Sequence, residues 1–216
     1  MSSNKTTQGP ENGQERRKGF SRRTFIQGVG AGSTAAAALS PQVADAAPTP
    51  SPVGPGAVSL TLKINGETHN VKLEPRVTLI DALRNHLDLT GAKKVCDRAT
   101  CGSCTVIVDG QAAYSCTMLA IEAQGREIQT IEGFTTPEKM HPVSAQFVEN
   151  DAQQCGFCTP GFVVACKSFL DKNPNPTMAE VEKGLGGNIC RCGTYVGVRE
   201  AALAAAKQIG GGRRAD

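Results

Sequence analysis

Tryptophan is absent from this chain of 216 residues, and aromatic residues make up only 4% of it. We therefore do not expect a single core built on large aromatic side chains. A strong charge is also lacking: the formal net charge is only +3, and the basic excess lies within the first 46 residues. The neutral remainder gives no electrostatic basis for binding nucleic acid or an anionic membrane surface.

A long, uninterrupted apolar run is the third feature that the sequence lacks. The run at 25–39 contains several glycines and is short for a bilayer, so no stable membrane span is expected. A basic region precedes this run and Ala-Asp-Ala follows it at 44–46, which is the layout of a cleaved secretory signal. Within it, SRRTFI at 21–26 resembles the twin-arginine export motif.

Residues 1–46 are therefore predicted to be a twin-arginine signal peptide, which places the protein in the periplasm. The alternative is a disordered basic tail followed by an alanine-rich helix. The twin-arginine route exports folded proteins, so the leader itself indicates a cofactor that is inserted in the cytoplasm. Residues 47–57, APTPSPVGPGA, are predicted to be a proline-rich linker, and 211–216 a C-terminal tail.

Alternating apolar and polar residues open the first predicted domain, 58–135. The alternation over 58–64 predicts a half-buried strand, and Asn65-Gly66 predicts a hairpin turn into a second strand. Thr78 is suited to cap a helix. The stretch TVIV at 105–108 and the later stretch REIQTIEG add strands, so this segment is predicted to be a small α+β sheet domain.

Four cysteines of this first domain have the spacing C-x4-C-x2-C-x11-C. The pattern C-x4-C-x2-C followed by a more distant cysteine is that of plant-type two-iron ferredoxins. A zinc site would usually use two C-x2-C pairs. Gly102, within the loop, can adopt a conformation closed to other residues. A plant-type [2Fe-2S] cluster is therefore predicted on what we call the first cysteine group, Cys96, Cys101, Cys104 and Cys116.

Helical periodicity replaces the strand pattern from 136 to 210. Apolar residues recur at helical spacing in four segments, which predicts a small helical bundle. This segment contains the second cysteine group, spaced C-x2-C-x31-C-x1-C: Cys155, Cys158, Cys190 and Cys192. Each pair comes just before a predicted helix, with Thr159-Pro160 as the expected cap and first position of one of them. Because the positive end of a helix favours thiolates, we expect the two pairs to face each other.

The spacing of the second group leaves its partner open. It suits a second cluster, a structural zinc ion or, in an exported protein, disulfides, although nine cysteines cannot all pair. Cys166, the ninth, shares an apolar helix face with Phe162 and Phe169 and is predicted to be an inert core thiol.

Taken together, CDRATCGSCTVIVDG, QCGFCTPGF and GNICRCGTY resemble the small subunit of the xanthine dehydrogenase family of molybdenum hydroxylases. The resemblance runs from about residue 58 to 207 and includes eight cysteines in both spacings. It implies an N-terminal β-grasp plant-type ferredoxin domain followed by a four-helix-bundle domain, each with one [2Fe-2S] cluster. The leader narrows the resemblance toward the periplasmic aldehyde oxidoreductases.

The resemblance also implies partners. A large molybdenum-cofactor subunit and an FAD subunit would complete a heterotrimer, and this chain would carry no substrate site. Electrons would pass from the molybdenum cofactor to the second cysteine group, then to the first group and on to FAD. Gln154 would hydrogen-bond the pterin of the molybdenum cofactor, and Cys192 would lie close to it.

The chain departs from the family pattern in two places. Ala99 stands where glycine is usual, so the loop must turn without a positive φ or with slight strain. Gly193-Thr194 reverses the usual Thr-Gly order, and no effect on ligation is expected. Two other functions fit the sequence: a free, exported ferredoxin-like carrier, and an exported binding protein stabilised by zinc or disulfides.

Overall fold

The structure, a computed structural model, describes residues 21–23, 25–27 and 54–212. Most of the predicted signal peptide and linker and most of the predicted tail lie outside these residues. The chain divides into a first unit, Met1–Ser51, and a second unit, Pro52–Asp216. Of the first unit, 22–23 and 25–27 are helical, and Phe25 N donates to Ser21 O at 3.0 Å. No helix among the described residues is long and apolar enough to cross a bilayer.

A mixed sheet forms one half of the second unit. Its strands, within 54–212, are β1 (Val58–Ile64), β2 (Glu67–Leu73), β3 (Thr105–Val108), β4 (Gln111–Tyr114) and β5 (Glu127–Gln129), in the order β2-β1-β5-β3-β4. Strands β1 and β5 are parallel, and the other neighbours are antiparallel. The strands predicted from alternation and from TVIV and REIQTIEG are confirmed, whereas β4 was not predicted.

The hairpin and the helix of this half follow local sequence signals. Asn65 and Gly66 have φ values of 54° and 84°, which suit the tight turn between β1 and β2. Helix α1 (Leu79–His86) begins where Thr78 Oγ1 accepts a hydrogen bond from Asp81 N, as predicted for an N-cap. Its apolar face packs on the buried side chains of β1, β3 and β5. The core of this half therefore lies between α1 and one face of the sheet.

Helices build the other half of the second unit. Within the described residues they are α2 (Pro142–Glu149), α3 (Thr159–Lys172), α4 (Met178–Gly184) and α5 (Tyr195–Gly212), which confirms the four predicted helical segments. Phe147, Phe162 and Val181 are almost fully buried among them. One prediction is wrong in detail: Cys158, not Thr159, is the N-cap of α3, because the helix already begins at Thr159.

Close backbone approach joins the two halves. A Cβ atom built on Gly161, in the first turn of α3, would lie 2.5 Å from the carbonyl oxygen of Gly102. A side chain at 161 would therefore push α3 away from the cysteine loop that precedes β3. The Tyr114 hydroxyl, at the end of β4, donates to Gly187 O at 2.9 Å and ties the sheet to the segment before α5. The two cysteine groups are thus held within one unit of mixed helix and sheet.

Candidate iron–sulfur centres

The first cysteine group lies on the loop between α1 and β3, with its fourth member just after β4. The thiols form two contacting pairs: Cys96 lies within hydrogen-bond reach of Cys101, and Cys104 within reach of Cys116. Cys104 and Cys116 are buried, whereas Cys96 and Cys101 are partly exposed. The sequence separation of 12 residues between Cys104 and Cys116 is closed by the β3–β4 hairpin.

Backbone N–H groups of the loop point at these sulfurs. Cys96 Sγ accepts from Thr100 N and from Cys101 N, each at 3.4 Å, and Cys116 Sγ accepts from Ala99 N at 3.3 Å. Ala99 has a φ of 53° and Gly102 a φ of 70°. The loop therefore takes the strained alternative at Ala99, and the expected positive φ at Gly102 is confirmed.

The pKa values of Cys96 and Cys104, both in the first group, are shifted in opposite directions. Hydrogen bonds from the backbone N–H groups of Arg98 and Thr100 lower the pKa of Cys96 to about 6. Burial raises the pKa of Cys104 to about 12. Metals bind the thiolate form of cysteine, so Cys96 is prepared for ligation, whereas a positive metal centre must offset the burial of Cys104.

The second cysteine group gathers at the N-terminal ends of α3 and α5, as expected. Its thiols pair across the two helices: Cys155 lies within hydrogen-bond reach of Cys192, and Cys158 within reach of Cys190. Each pair therefore combines one member of the C-x2-C motif with one member of the C-x-C motif. Cys155 is exposed, Cys158 and Cys192 are partly exposed, and Cys190 is buried.

Cys190 is the most strongly hydrogen-bonded thiol of the second group. Its Sγ accepts from the Thr194 hydroxyl at 3.1 Å and from Cys192 N at 3.3 Å, while Cys190 N donates to the Tyr195 hydroxyl at 2.9 Å. Burial opposes the thiolate, but these donors lower the pKa of Cys190 to about 6. For Cys158, burial dominates and raises the pKa to about 12.

The donor sets fit two-iron clusters. Each group offers four free thiols, arranged as two pairs, and a two-iron cluster with four cysteine ligands places two thiolates on each iron. Ligation by these eight cysteines remains a prediction.

The segment 187–189 links the two groups directly. Ile189 N donates to Cys101 O at 2.9 Å, and the buried Asn188 side chain donates to Gly102 O at 2.9 Å. Ile189 is followed by Cys190, so a short hydrogen-bonded backbone route joins a member of the first group to a member of the second. Sequence reasoning did not single out Asn188 or Ile189, because their partners lie more than 80 residues away.

The surroundings of the second group are exposed. Gln154 is exposed beside Cys155, and its contact with a pterin remains a prediction, as does that of Cys192. Phe157, Ile189 and Val196, which flank the cysteines in sequence, are 52%, 46% and 62% exposed. Cys166 contrasts with them: it is fully buried in the helical core, and burial raises its pKa to about 12.

Comparison with known proteins agrees with this geometry. The family model of the 2Fe-2S iron–sulfur cluster binding domain matches residues 62–130, and that of the [2Fe-2S] binding domain matches residues 130–203. The chain is 39% identical to the aldehyde oxidoreductase iron–sulfur-binding subunit PaoA of Escherichia coli over 206 residues, which covers 88% of this chain and 90% of that protein.

Two further relatives widen the comparison. The nicotine 6-hydroxylase small subunit of Paenarthrobacter nicotinovorans is 42% identical over 162 residues, 75% of this chain and 96% of the relative. Among solved structures, the quinoline 2-oxidoreductase of Pseudomonas putida 86 matches with a TM-score of 0.69 and 39% identity, over 72% of this chain and 98% of that one.

Proposed function

This chain belongs to the iron–sulfur small subunits of the xanthine dehydrogenase and aldehyde oxidoreductase family of molybdenum hydroxylases, and we propose that it relays electrons within a periplasmic aldehyde oxidoreductase. As a small subunit of a multi-subunit oxidoreductase, it contributes electron transfer, and substrate is converted on a partner. A [2Fe-2S] cluster accepts and releases one electron at a time, so a chain with two such clusters suits a relay.

The proposed architecture assigns one cluster to each half of the second unit. A β-grasp plant-type ferredoxin domain would span 58–135, and a four-helix-bundle domain would span 136–210. The strand order β2-β1-β5-β3-β4 and the helices α2 to α5 support this assignment, as do the two adjoining family matches.

One observation carries the relay proposal: the hydrogen bond from Ile189 N to Cys101 O. It places the backbone of one cysteine group against the backbone of the other, with no side chain between them. Asn188 and Tyr114 hold this crossing in place by their own hydrogen bonds to Gly102 O and Gly187 O. These residues therefore fix the separation of the two centres, which electron transfer between them requires.

The direction of transfer is proposed from the exposure of the second group. Its exposed surroundings, Gln154, Phe157, Ile189 and Val196, offer an amide and an apolar surface to a partner. We propose that a large molybdenum-cofactor subunit docks here, with Gln154 and Cys192 next to the pterin. Electrons would enter at the second group and leave from the first group to FAD on a further subunit of a heterotrimer.

Aldehyde as the substrate class is supported by the relative named aldehyde oxidoreductase. Other relatives of similar identity carry the names of nicotine and nicotinate enzymes. The partner subunit, which would convert the substrate, would therefore determine the substrate class. Comparing the turnover of aldehydes with that of N-heterocycles by the assembled complex tests the aldehyde assignment. Preferential turnover of an N-heterocycle would overturn the aldehyde assignment.

Export by the twin-arginine route is proposed from the SRRTFI motif and the Ala-Asp-Ala site. The test is fractionation of cells that produce the whole chain or the Arg22→Lys, Arg23→Lys double variant. We expect the unaltered chain in the periplasm and the variant in the cytoplasm. Equal distribution of both proteins would contradict the proposal.

Metal analysis and spectroscopy test the relay itself. The purified protein should contain four iron and four sulfide per chain, by the stoichiometry of two [2Fe-2S] clusters, and show two distinct electron paramagnetic resonance signals after dithionite reduction. Stoichiometric zinc, or a single signal, would overturn the assignment of the second group. Purification from its own cells separates the relay from a free ferredoxin-like carrier: a relay subunit elutes with a molybdenum-containing subunit.

A further inference from the structure

The Thr194 hydroxyl makes an unusual contact for a residue at a helix start. Thr194 is buried, and its Oγ1 donates to Cys190 Sγ at 3.1 Å. Its backbone is fixed by the helix, because Thr194 O accepts from Val198 N at 3.0 Å. Gly193, with a φ of 86°, makes the turn between Cys192 and Thr194. The hydroxyl therefore points at the sulfur from a rigid position.

This donor differs from the others that reach the two cysteine groups. Within the described part of the chain, the N–H donors to Cys96, Cys116 and Cys190 are backbone groups, whereas the Thr194 donor is a side-chain hydroxyl. Backbone donors come with the loop, and any residue supplies them. The hydroxyl depends on the residue at 194, so the sequence sets it independently of the loop.

We propose that the Thr194 hydroxyl raises the reduction potential of the [2Fe-2S] cluster held by the second cysteine group. The inference rests on the proposed function, since it requires a cluster at this group. Reduction adds one electron and forms or breaks no covalent bond, and the hydroxyl keeps its proton. A hydrogen bond to a ligand sulfur is stronger when that sulfur carries more negative charge, so the donor favours the reduced state.

The consequence concerns the direction of electron flow. Raising the potential of the second group makes it a better acceptor for electrons that arrive from the partner. The first group has backbone donors on Cys96 and Cys116 and no hydroxyl on its sulfurs among the contacts of the described residues. The residue at position 194 therefore adjusts the reduction potential of the second cluster without contacting the first cysteine group.

Redox titration of the whole protein, followed by electron paramagnetic resonance, tests the proposal. Thr194→Val keeps the branched shape and removes the hydroxyl. In this variant the midpoint reduction potential of the second cluster should fall by about 59 mV, which corresponds to a roughly tenfold change in the equilibrium constant for one-electron reduction. Thr194→Ser should restore most of the unaltered midpoint. The first-group signal, measured in the same sample, should not move.

A matched control separates the sulfur contact from helix capping. Thr177 caps α4, where its hydroxyl accepts from Glu180 N, and it contacts no cysteine. Thr177→Val should lower stability and leave both midpoints unchanged. An unchanged second-group midpoint in Thr194→Val, or an equal shift of both signals, would overturn the proposal.

If Thr194→Val loses the second cluster, its reduction potential cannot be measured, and Thr194→Ser then provides the test. If Thr194→Ser retains the cluster and its midpoint while Thr194→Val loses it, the hydroxyl contact is supported. If both variants lose the cluster, Thr194 acts through packing and the proposal is wrong. Failure of the unaltered protein to show two signals would instead contradict the proposed function, so the two failures are distinguishable.

Discussion

Ile189 N donates a hydrogen bond to Cys101 O at 2.9 Å, which joins the two cysteine groups of this chain through their backbones. The contact lies beside the buried Asn188, whose side-chain amide donates to Gly102 O at 2.9 Å and reaches Thr105 Oγ1 at 3.4 Å. The crossing of these two segments is therefore fixed by one backbone hydrogen bond together with side-chain hydrogen bonds from Asn188 and Tyr114. Substitution of Asn188 tests how much this crossing contributes to the stability of the protein.

Replacing Asn188 by Ala should weaken this crossing. The change removes one of three donors to Gly102 O, which keeps its hydrogen bonds from Thr105 N and Thr105 Oγ1, so the loss is that of one buried hydrogen bond, about 1 kcal/mol, and lowers the apparent melting temperature by about 2–4 °C. Thermal unfolding followed by circular dichroism measures it. Asn85→Ala on the exposed face of α1 is the matched control and should be nearly neutral. Equal effects of the two substitutions would contradict a role for Asn188 at the crossing.

Because the turn at Ala99 is strained, replacing alanine by glycine should affect stability differently at this position and in a regular strand. Ala99→Gly should leave stability unchanged or raise it by up to about 1 kcal/mol, because glycine adopts a φ of 53° without strain. The same change in strand β4, Ala112→Gly, should destabilise by about 0.5–1 kcal/mol. Chemical denaturation of both variants provides the comparison. Destabilisation of similar size at both positions would show that Ala99 is not strained.

His141 makes stability depend on pH. Its Nδ1 accepts from Val143 N at 3.2 Å, so the neutral ring caps α2. Burial and then Lys167 lower the pKa of His141, while Asp171 acts in the opposite direction and the Phe134 ring packs edge-on. Because the unfolded chain takes up the proton more readily, the stabilisation is complete above the unfolded pKa, near 6.5, and is lost as the pH falls through the lower folded value.

Two variants isolate this titration. His141→Asn keeps a capping side chain without a proton to gain, so its melting temperature should fall less than that of the unaltered protein between pH 7.5 and 5.5. His141→Ala should lose about 1 kcal/mol already at pH 7.5. An asparagine variant that retains the full pH dependence would assign it to other groups.

Two buried cysteines should respond differently to substitution. Cys190→Ser should abolish the second-group electron paramagnetic resonance signal and retain the first, because only Cys190 belongs to a thiol group at the helix ends. Cys166→Ala should retain both signals and cost about 1–2 kcal/mol, because Cys166 is fully buried in the apolar core and burial alone raises its pKa, with no contribution from another thiol. Loss of both signals in Cys190→Ser would mean that the clusters assemble as one unit.

Gln154 should affect electron entry without affecting the clusters. Gln154→Ala should keep both signals and slow reduction by substrate in the assembled complex by about 5–10-fold, the effect of losing one orienting hydrogen bond. The neighbouring exposed residue supplies the control: in Gln153→Ala, substrate should reduce the clusters at the same rate as in the unaltered protein. Stopped-flow spectroscopy with substrate measures the rates, and equal rates for both variants would refute the pterin contact.

Local patterns predicted most of the helices and strands, because those elements depend on neighbouring residues. The alternation of β1, the Asn65-Gly66 turn and the Thr78 cap act within a few positions, and the structure confirms each. Strand β4 was missed because Gln-Ala-Ala-Tyr has neither alternation nor β-branched residues, and it pairs only because β3 lies beside it. Tertiary pairing decided that strand.

The sequence alone determined which thiols form the two groups, since cysteine spacing is a property of the chain, and it determined the family through eight matching positions. Only the tertiary structure decided how they are used. It pairs Cys155 with Cys192 and Cys158 with Cys190, sets Ile189 against Cys101, and aims the Thr194 hydroxyl at Cys190. These contacts join residues from different elements, and packing of helices against a sheet fixes such distances, whereas spacing along the chain does not.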